Sequence, residues 1–343
     1  MSPDDSGGSG TAAEPSDRIR ALLTDYLTTT LSRPVDYVGR APGNSHDGFI
    51  FSDASGRKLL ARLDPEEGPF LNYNGSNEAA LMRQLGATAV PVPAVIIDAD
   101  SSAVGTHFVV LDWIDGMVYN PGQTKALEPD VRVAMAQEMA RMLSCVHSVP
   151  VAEIPALGAS GLMSRDPSAF LSAFDRTLDQ LTEIDSTVLD LVRLWLQGHL
   201  GGMAHEVTVV HGDFRLANVV WQGGRIAAVL DWETARVGDP LFDVGWMCMS
   251  ATSGDDSIMG LVSRDEFVNM YEVASGRRMD QRQVLFWQIA AAWVRGCTEL
   301  RLLDLALRRD DPVGVEARDL SWYFGSHRTD AELLGLVDQY EAL

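Results

Sequence analysis

The sequence predicts an α+β chain in two lobes, a small sheet-rich one followed by a larger helical one, on three observations. Its 343 residues exceed the ~100–200 of a usual single domain. Between Tyr37 and Ile114 short apolar runs alternate with Gly, Asn and Asp turns, the texture of strands. Beyond residue 116 the apolar residues recur at helical spacing, with one short hairpin interrupting them. The division expected is a disordered tail over 1–15, a first lobe over 16–115 and a second over 116–343.

Taken in order, "MSPDDSGGSGTAAEPSD" is small, polar and acidic, and lacks the basic and apolar regions of a secretory signal. Ser16 is a cap candidate for a helix with Ile19, Leu22, Leu23, Tyr26 and Leu27 on one face. From Tyr37 to Leu63, runs broken by "APGNSHDG" and "DASG" read as two antiparallel strands. "NEAALMRQLGA" is a short helix stopped by Gly86, and "PVPAVIID" and "THFVVLDWI" are strands, the second ending at a turn on Asp115 and Gly116. "EPDVRVAMAQEMARMLSCVHSV", "DPSAFLSAFDRTLDQL" and "STVLDLVRLWLQGHL" are amphipathic helices, and further helices are expected around 263–274, 280–307 and 331–340.

With 27 basic and 48 acidic residues, the formal charge of −21 argues against nucleic acid or an anionic membrane as partner, since both demand Lys and Arg. It suits a cationic substrate, and it equally serves solubility. Cys145, Cys248 and Cys297 stand far apart in no metal or redox spacing, as in a reducing cytoplasm. No run of about 18 apolar residues is present to span a membrane.

The informative stretch is "VVHGDFRLANVVWQGGRIAAVLDWETARVGDPLFDV", Val209 to Val244. Its Gly223-Gly224 pair closes a hairpin. If Gln222 pairs with Arg225, Asn218 lies opposite Val229 and Asp231 opposite Leu216, so Asn218 and Asp231 share a face of the ribbon ~7 Å apart. An amide oxygen beside a carboxylate, without His or Cys, is the ligand set of Mg²⁺, which takes other oxygens from substrate phosphates and so implies a nucleotide. Asp213, at the mouth of the loop after the strand "VTVV", is placed to accept a proton, although a lone loop Asp more often caps a turn.

These residues, "HGDFRLAN" followed by "DWE", resemble the aminoglycoside phosphotransferase family, small-molecule kinases related to the protein kinases. The resemblance implies a protein-kinase-like two-lobed fold, with Asp213 as catalytic base, His211 orienting the loop, and Asn218 and Asp231 as Mg²⁺ ligands. It makes Asp243 of "GDPLFD" the brace of the loop backbone, with Asp239 and Pro240 in a turn. In the first lobe it implies a phosphate-covering turn in "RAPGNSHDGFIF" with Gly43, Asn44 and Ser45. It also implies a cation on the strand "RKLLARLD" paired with Glu78, and a strand whose backbone at Asp112, Trp113 and Ile114 meets the base of ATP or GTP. The commonest residue for that cation is Lys. Here Arg62 fits by position after the turn, and Lys58, on the same strand face, is its rival.

The function implied is transfer of the γ-phosphoryl group to a hydroxyl of a small molecule, aminoglycoside-like or otherwise, in the cytoplasm. The rivals are a nucleotide-binding module without catalysis, and a metal-dependent phosphohydrolase with His211 and Asp213 as ligands. Other residues read as structural: Trp232 as packing, His46 as a solvated loop residue, His147 and His205 as structural with no partner pattern in the sequence, and Arg236 as one half of a surface salt bridge in preference to a phosphate contact. The insert at about 151–205 and the helices after about 255 form the expected substrate region, where Asp255, Asp256 and Glu299 are acidic.

Overall fold

A computed structural model describes residues 15–41, 46–65, 73–159, 167–181, 185–201, 206–249, 257–308 and 329–343. The expected tail before residue 15, the turn residues Gly43, Asn44 and Ser45, His205, Asp255 and Asp256 lie outside the described residues. The chain divides into two compact units, Met1–Pro65 with Ile96–Trp113, and Glu66–Val95 with Ile114–Leu343.

The first unit holds helix α1 (Pro15–Thr30) and strands β1 (Val35–Arg40), β2 (Asp47–Asp53), β3 (Lys58–Leu63), β4 (Val95–Ala99) and β5 (Phe108–Asp112), in sheet order β1-β2-β3-β5-β4. The region from Tyr37 to Leu63, expected as two strands, therefore contains three. β1 is a strand in its own right, paired with β2 from Val35↔Asp53 to Arg40↔Phe49 through a bulge at Tyr37/Gly39. That bulge breaks the alternation by which the sequence would show a strand. At the β2–β3 turn, Gly56 takes φ +83°, and the Asp53 carboxylate accepts the backbone N–H groups of Ser55 and Arg57.

Alternation along β3 is regular: Leu59, Ala61 and Leu63 are buried, while Lys58, Leu60 and Arg62 line the other face. The buried row packs with Phe49, Phe51, Phe108 and Val110 against Leu23 and Leu27 of α1. Tyr26 meets the Phe108 ring edge-on at 5.3 Å.

In the second unit the first helix is α2 (Gly75–Leu85), capped by the Asn74 side chain on the Asn77 N–H. The sequence division assigned this segment to the small lobe. Its bonds run elsewhere: Gln84 Oε1 accepts the Ala156 N–H at 3.1 Å, and Glu78 Oε1 accepts the Trp232 N–H at 3.1 Å. There follow α3 (Pro121–Lys125), α4 (Pro129–His147), α5 (Ala156–Ala159), α6 (Pro167–Leu178) and α7 (Thr187–Leu200). Next come β6 (Thr208–Val210), β7 (Val219–Gln222), β8 (Arg225–Val229), β9 (Arg236–Gly238) and α8 (Leu241–Met247). The chain closes with β10 (Ser257–Ile258), β11 (Val262–Ser263), α9 (Arg264–Ser275), α10 (Gln281–Arg308) and α11 (329–341). The long helices fall where the apolar periodicity placed them. α3, α8, β9, β10 and β11 span seven residues or fewer, too few for a period to register.

Trp293, Phe286 and Tyr271 are fully buried in this unit, and α8 lies directly on α10. A Cβ on Gly245 would stand 2.6 Å from the Trp287 carbonyl oxygen and the Gln288 nitrogen, both backbone atoms. Gly245→Ala is therefore expected to destabilise the fold by about 1–3 kcal/mol, as overpacking does, measured by urea unfolding; an unchanged midpoint would show that the two helices yield freely. Among the described residues no helix is long and apolar enough to cross a membrane.

Candidate active site

The centre of the second unit is the loop from His211 to Asn218. β6 ends at Val210, and its pairing with β9 (Val210↔Arg236) fixes where the loop begins. Gly212 takes φ +89°, and a Cβ there would meet Thr234 O at 2.6 Å and Arg236 Nη1 at 2.7 Å. Only glycine fits this backbone. Phe214 and Leu216 are buried on either side of Arg215 and pin the loop to the core.

Asp243 braces this backbone from α8. Its Oδ2 accepts the His211 N–H at 2.8 Å, its Oδ1 accepts the Gly212 N–H at 2.8 Å, and His147 Nε2 lies 3.0 Å from Oδ2. Behind it His147 Nδ1 is 2.6 Å from the Tyr271 hydroxyl, so α4 and α9 hold the carboxylate that holds the loop. His147, read from the sequence as structural though without a partner pattern, is structural: it bonds to the brace. Burial opposes the Asp243 charge, yet the His147 hydrogen bond, the His147 and His211 charges and the His211 N–H together keep its carboxyl below the usual range.

His211 is fully buried. Its Nδ1 accepts the Asp213 N–H at 3.2 Å, and its Nε2 lies 2.9 Å from the Leu230 carbonyl, which requires the Nε2–H tautomer. Trp232 packs on the ring with centroids 4.6 Å apart, and its own N–H of the indole donates to Val229 O, so Trp232 is packing as expected. Both imidazole nitrogens are used within the protein. Burial holds His211 below its ordinary 6.5, against the nearby Asp243 and Asp213 carboxylates.

That shift sets a sign. The unfolded chain protonates its histidine near pH 6.5 while folded His211 resists, so the unfolded state binds more protons there and stability falls with pH. Unfolding free energy is expected to decline as pH drops from about 7.5 through 6. His211→Asn should flatten that limb; an equally steep limb in the variant would assign the acid sensitivity to other groups.

Asp213 is mostly buried, with its side chain 16% exposed. Asn218, in a short 3₁₀ turn (Leu216–Asn218), donates its Nδ2 both to Asp213 O at 2.9 Å and to Asp213 Oδ2 at 2.8 Å. With the amide nitrogen turned onto Asp213, its oxygen faces away. Arg215 Nε lies 2.9 Å from Asp213 Oδ1 and 3.1 Å from Oδ2.

The hairpin differs from its expected register. Gln222↔Arg225 pair as anticipated, and Gly223 and Gly224 take φ +58° and +77°. A bulge at Val220/Trp221 then shifts the ladder, so Val229 pairs with Val219 and not with Asn218. Asn218 and Asp231 are joined instead through Leu230, whose N–H donates to Asn218 O at 2.8 Å. Asp231 itself has left the strand at φ +64°, an uncommon conformation for a residue other than glycine. Glu78 fastens the next residue through the Trp232 N–H and is itself bonded by the Tyr73 hydroxyl at 2.8 Å.

Arg236, expected in a surface salt bridge, is buried beneath the loop. Its Nη1 donates to Thr234 O at 3.1 Å and its guanidinium lies 4.0 Å from the Phe242 ring centroid. Burial brings its pKa down to about 9, with Asp243 opposing. The reason is the Gly at 212, which leaves room for the guanidinium.

In the first unit Arg62 sits on β3 opposite Gly48 and Val109. His46 is not the solvated loop residue expected, because burial and then the Arg62 charge lower its pKa to about 3. Lys58 stands at the other end of β3, its Nζ 5.8 Å from the Trp113 ring centroid. Asp112, at the end of β5, accepts Arg57 Nε at 2.9 Å, and the Trp113 N–H donates to Lys58 O at 3.2 Å. Ile114 opens the second unit.

Residues 36–285 match the model of the "Phosphotransferase enzyme family" (APH). The chain belongs to that family. Its fold is the protein-kinase-like one of the aminoglycoside phosphotransferases. A putative aminoglycoside phosphotransferase from Ralstonia eutropha superposes with a TM-score of 0.72 at 19% identity, over 93% of this chain and 98% of that one. The aminoglycoside phosphotransferase APH(4)-Ia, in a ternary complex with ADP and hygromycin B, gives 0.63 at 16%, over 91% and 97%. The macrolide 2'-phosphotransferase MphH from Brachybacterium faecium gives 0.57 at 18%, over 91% and 97%.

Among curated proteins, mouse acyl-CoA dehydrogenase family member 10 is 28% identical over 244 residues, 70% of this chain and 22% of the relative. Human acyl-CoA dehydrogenase family member 11 is 28% identical over 208 residues, 59% of this chain and 26% of the relative. The chain thus spans about a quarter of the length of these relatives.

Proposed function

We propose that the chain transfers the γ-phosphoryl group of ATP or GTP to a hydroxyl of a small molecule. The observation that carries this reading is the Asn218 amide. Both of its contacts to Asp213 use the nitrogen, so one side chain fixes the base and turns an oxygen outward, close in the chain fold to Asp231. An amide oxygen and a carboxylate without His or Cys fit a hard cation, so Asn218 and Asp231 are the residues to hold Mg²⁺. When bound, that ion supplies charge neutralisation on the phosphates.

Asp213 receives the acceptor's hydroxyl proton as its oxygen bonds to the γ-phosphorus. The bond from that phosphorus to the bridging oxygen breaks, and the nucleoside diphosphate leaves with the electron pair. His211, locked through both ring nitrogens, keeps the Asp213 backbone in place. In the first unit Arg62 is assigned to the phosphates in preference to Lys58, because it stands across from Gly48 at the foot of the turn while Lys58 lies by Trp113. Gly43, Asn44 and Ser45 are assigned to covering the phosphates, and the backbone of Asp112, Trp113 and Ile114 to the base.

The phosphohydrolase alternative requires His211 as a metal ligand, and neither of its ring nitrogens is open to one. A non-catalytic module is separated from a kinase by assay. Nucleoside diphosphate release is measured with aminoglycosides, macrolides, amino alcohols and hydroxyacyl thioesters, classes suggested by the charge and by the names of the related proteins. Acceptor-dependent release with a phosphorylated acceptor is the expected result; nucleotide binding with no transfer to any hydroxyl would favour the module.

A further inference from the structure

We infer that Met259 is a positioning residue for the Asn218 amide: its thioether sulfur caps the 3₁₀ turn that presents that side chain. This rests on the kinase reading above. The turn, Leu216–Asn218, follows Arg215, whose side chain makes no capping bond. Its first N–H group, on Leu216, has no acceptor within the turn, and Leu216 is buried, so water does not serve it. Among the described residues its acceptor is Met259 Sδ, at 3.4 Å. At the other end Asn218 donates its own N–H to Arg215 O at 3.0 Å. The turn is one hydrogen-bonded unit, and a shift at Leu216 carries the Asn218 amide off Asp213.

A buried methionine more often fills space, since the thioether is flexible and a weak acceptor. Met259 is held more firmly than that role requires. It lies in the loop that joins β10 and β11, paired Ser257↔Ser263 and Ile258↔Val262. There it takes φ +50°, a left-handed backbone that persists only where the surroundings impose it. Thr124 of α3, fully buried, donates its hydroxyl to Met259 O at 2.6 Å. The next residue, Gly260, lies so close to α3 that a Cβ would stand 2.6 Å from Pro121 O. Thus α3 clamps the tip of the hairpin, and the tip sets the sulfur on a loop N–H from 43 positions along the chain. Loss of that acceptor leaves a buried donor unmade, which the turn relieves only by moving.

The experiment compares wild type, Met259→Leu, which keeps the volume and removes the acceptor, and Met259→Gln, which restores an acceptor oxygen on an unbranched side chain. Two quantities are measured: hydrogen exchange of the Leu216 amide without ligand, and the free Mg²⁺ that gives half-maximal binding of ATP or GTP. In Met259→Leu, exchange is expected to quicken about tenfold and the Mg²⁺ requirement to rise about tenfold, the worth of one hydrogen bond. Met259→Gln should recover most of both. Nucleotide binding without Mg²⁺ should be alike in all three proteins, and the ligand-free melting temperature of Met259→Leu should stay near wild type, as in volume-conserving swaps. A wild-type Mg²⁺ requirement in Met259→Leu overturns the assignment while the kinase reading stands. Equal losses in the Leu and Gln variants, or a loss equally large without Mg²⁺, make packing the cause and overturn it too. Should Met259→Leu not fold, Met259→Gln decides alone: exchange and Mg²⁺ requirement near wild type support the assignment, and either raised about tenfold overturns it. Wild type that binds neither nucleotide refutes the kinase reading itself, and the assignment falls with it.

Discussion

Asp213→Ala is expected to lower turnover by roughly 10²–10⁴-fold, the usual contribution of a general base, with nucleotide affinity almost unchanged. The separation follows from how Asn218 is held. Its Nδ2 bonds both the carboxylate and the backbone carbonyl of Asp213, and the second bond survives truncation. The proposed metal ligand therefore keeps its orientation when the base is removed. Asp213→Asn preserves shape and removes basicity, and should fall nearly as far as the alanine variant. Single-turnover assays with nucleotide in excess check both; turnover within threefold of wild type in either variant would take Asp213 out of the proton transfer.

Asp243→Asn should be the most damaging single change to stability, at about 3–5 kcal/mol. The carboxylate is fully buried and its two oxygens serve the His211 N–H, the Gly212 N–H and His147 Nε2. Asparagine offers one oxygen, so its amino group must face at least one of these donors and leave that donor unsatisfied. Since the Asp243 carboxyl is held below the ordinary range, its stabilisation is present above that range and lost as pH falls through the folded value. The variant should lose stability at neutral pH and show a smaller acid-induced decline. Denaturant unfolding at about pH 7.5 and about pH 3 measures both, and a loss under about 1 kcal/mol at neutral pH would mean that the brace is relieved by water or rearrangement.

What could be read in the sequence and what could not divides along chain distance. His211, Asp213 and Asn218 lie within eight residues, and the spacing "HGDFRLAN" alone marks them as one loop. The long helices carried enough turns for their periods to show. The pairing of Asn218 with Asp231 was placed on the wrong register because a bulge leaves no mark in an apolar run such as "VVW", and because Asp231 adopts a left-handed conformation that sequence does not announce.

Partners distant in the chain were invisible for a different reason. His147 reaches Asp243 across 96 positions and Tyr271 across 124, and neither segment carries a local pattern of polar residues. Arg236 looked like a surface cation because burial of an arginine depends on the space that Gly212 leaves, which is a property of the packed loop.

The most direct test of Mg²⁺·nucleotide binding through Asn218 and Asp231 is thermal stability with ATP or GTP, with and without Mg²⁺, on wild type and Asp231→Asn. A ligand that binds only the folded state stabilises by RT ln(1 + [L]/Kd), about 2.7 kcal/mol at a hundredfold excess over Kd. The expected result is a Mg²⁺-dependent rise in melting temperature for the wild type, largely lost in Asp231→Asn. A wild type that shows no shift with either nucleotide, or a variant that keeps the full Mg²⁺-dependent shift, would contradict it.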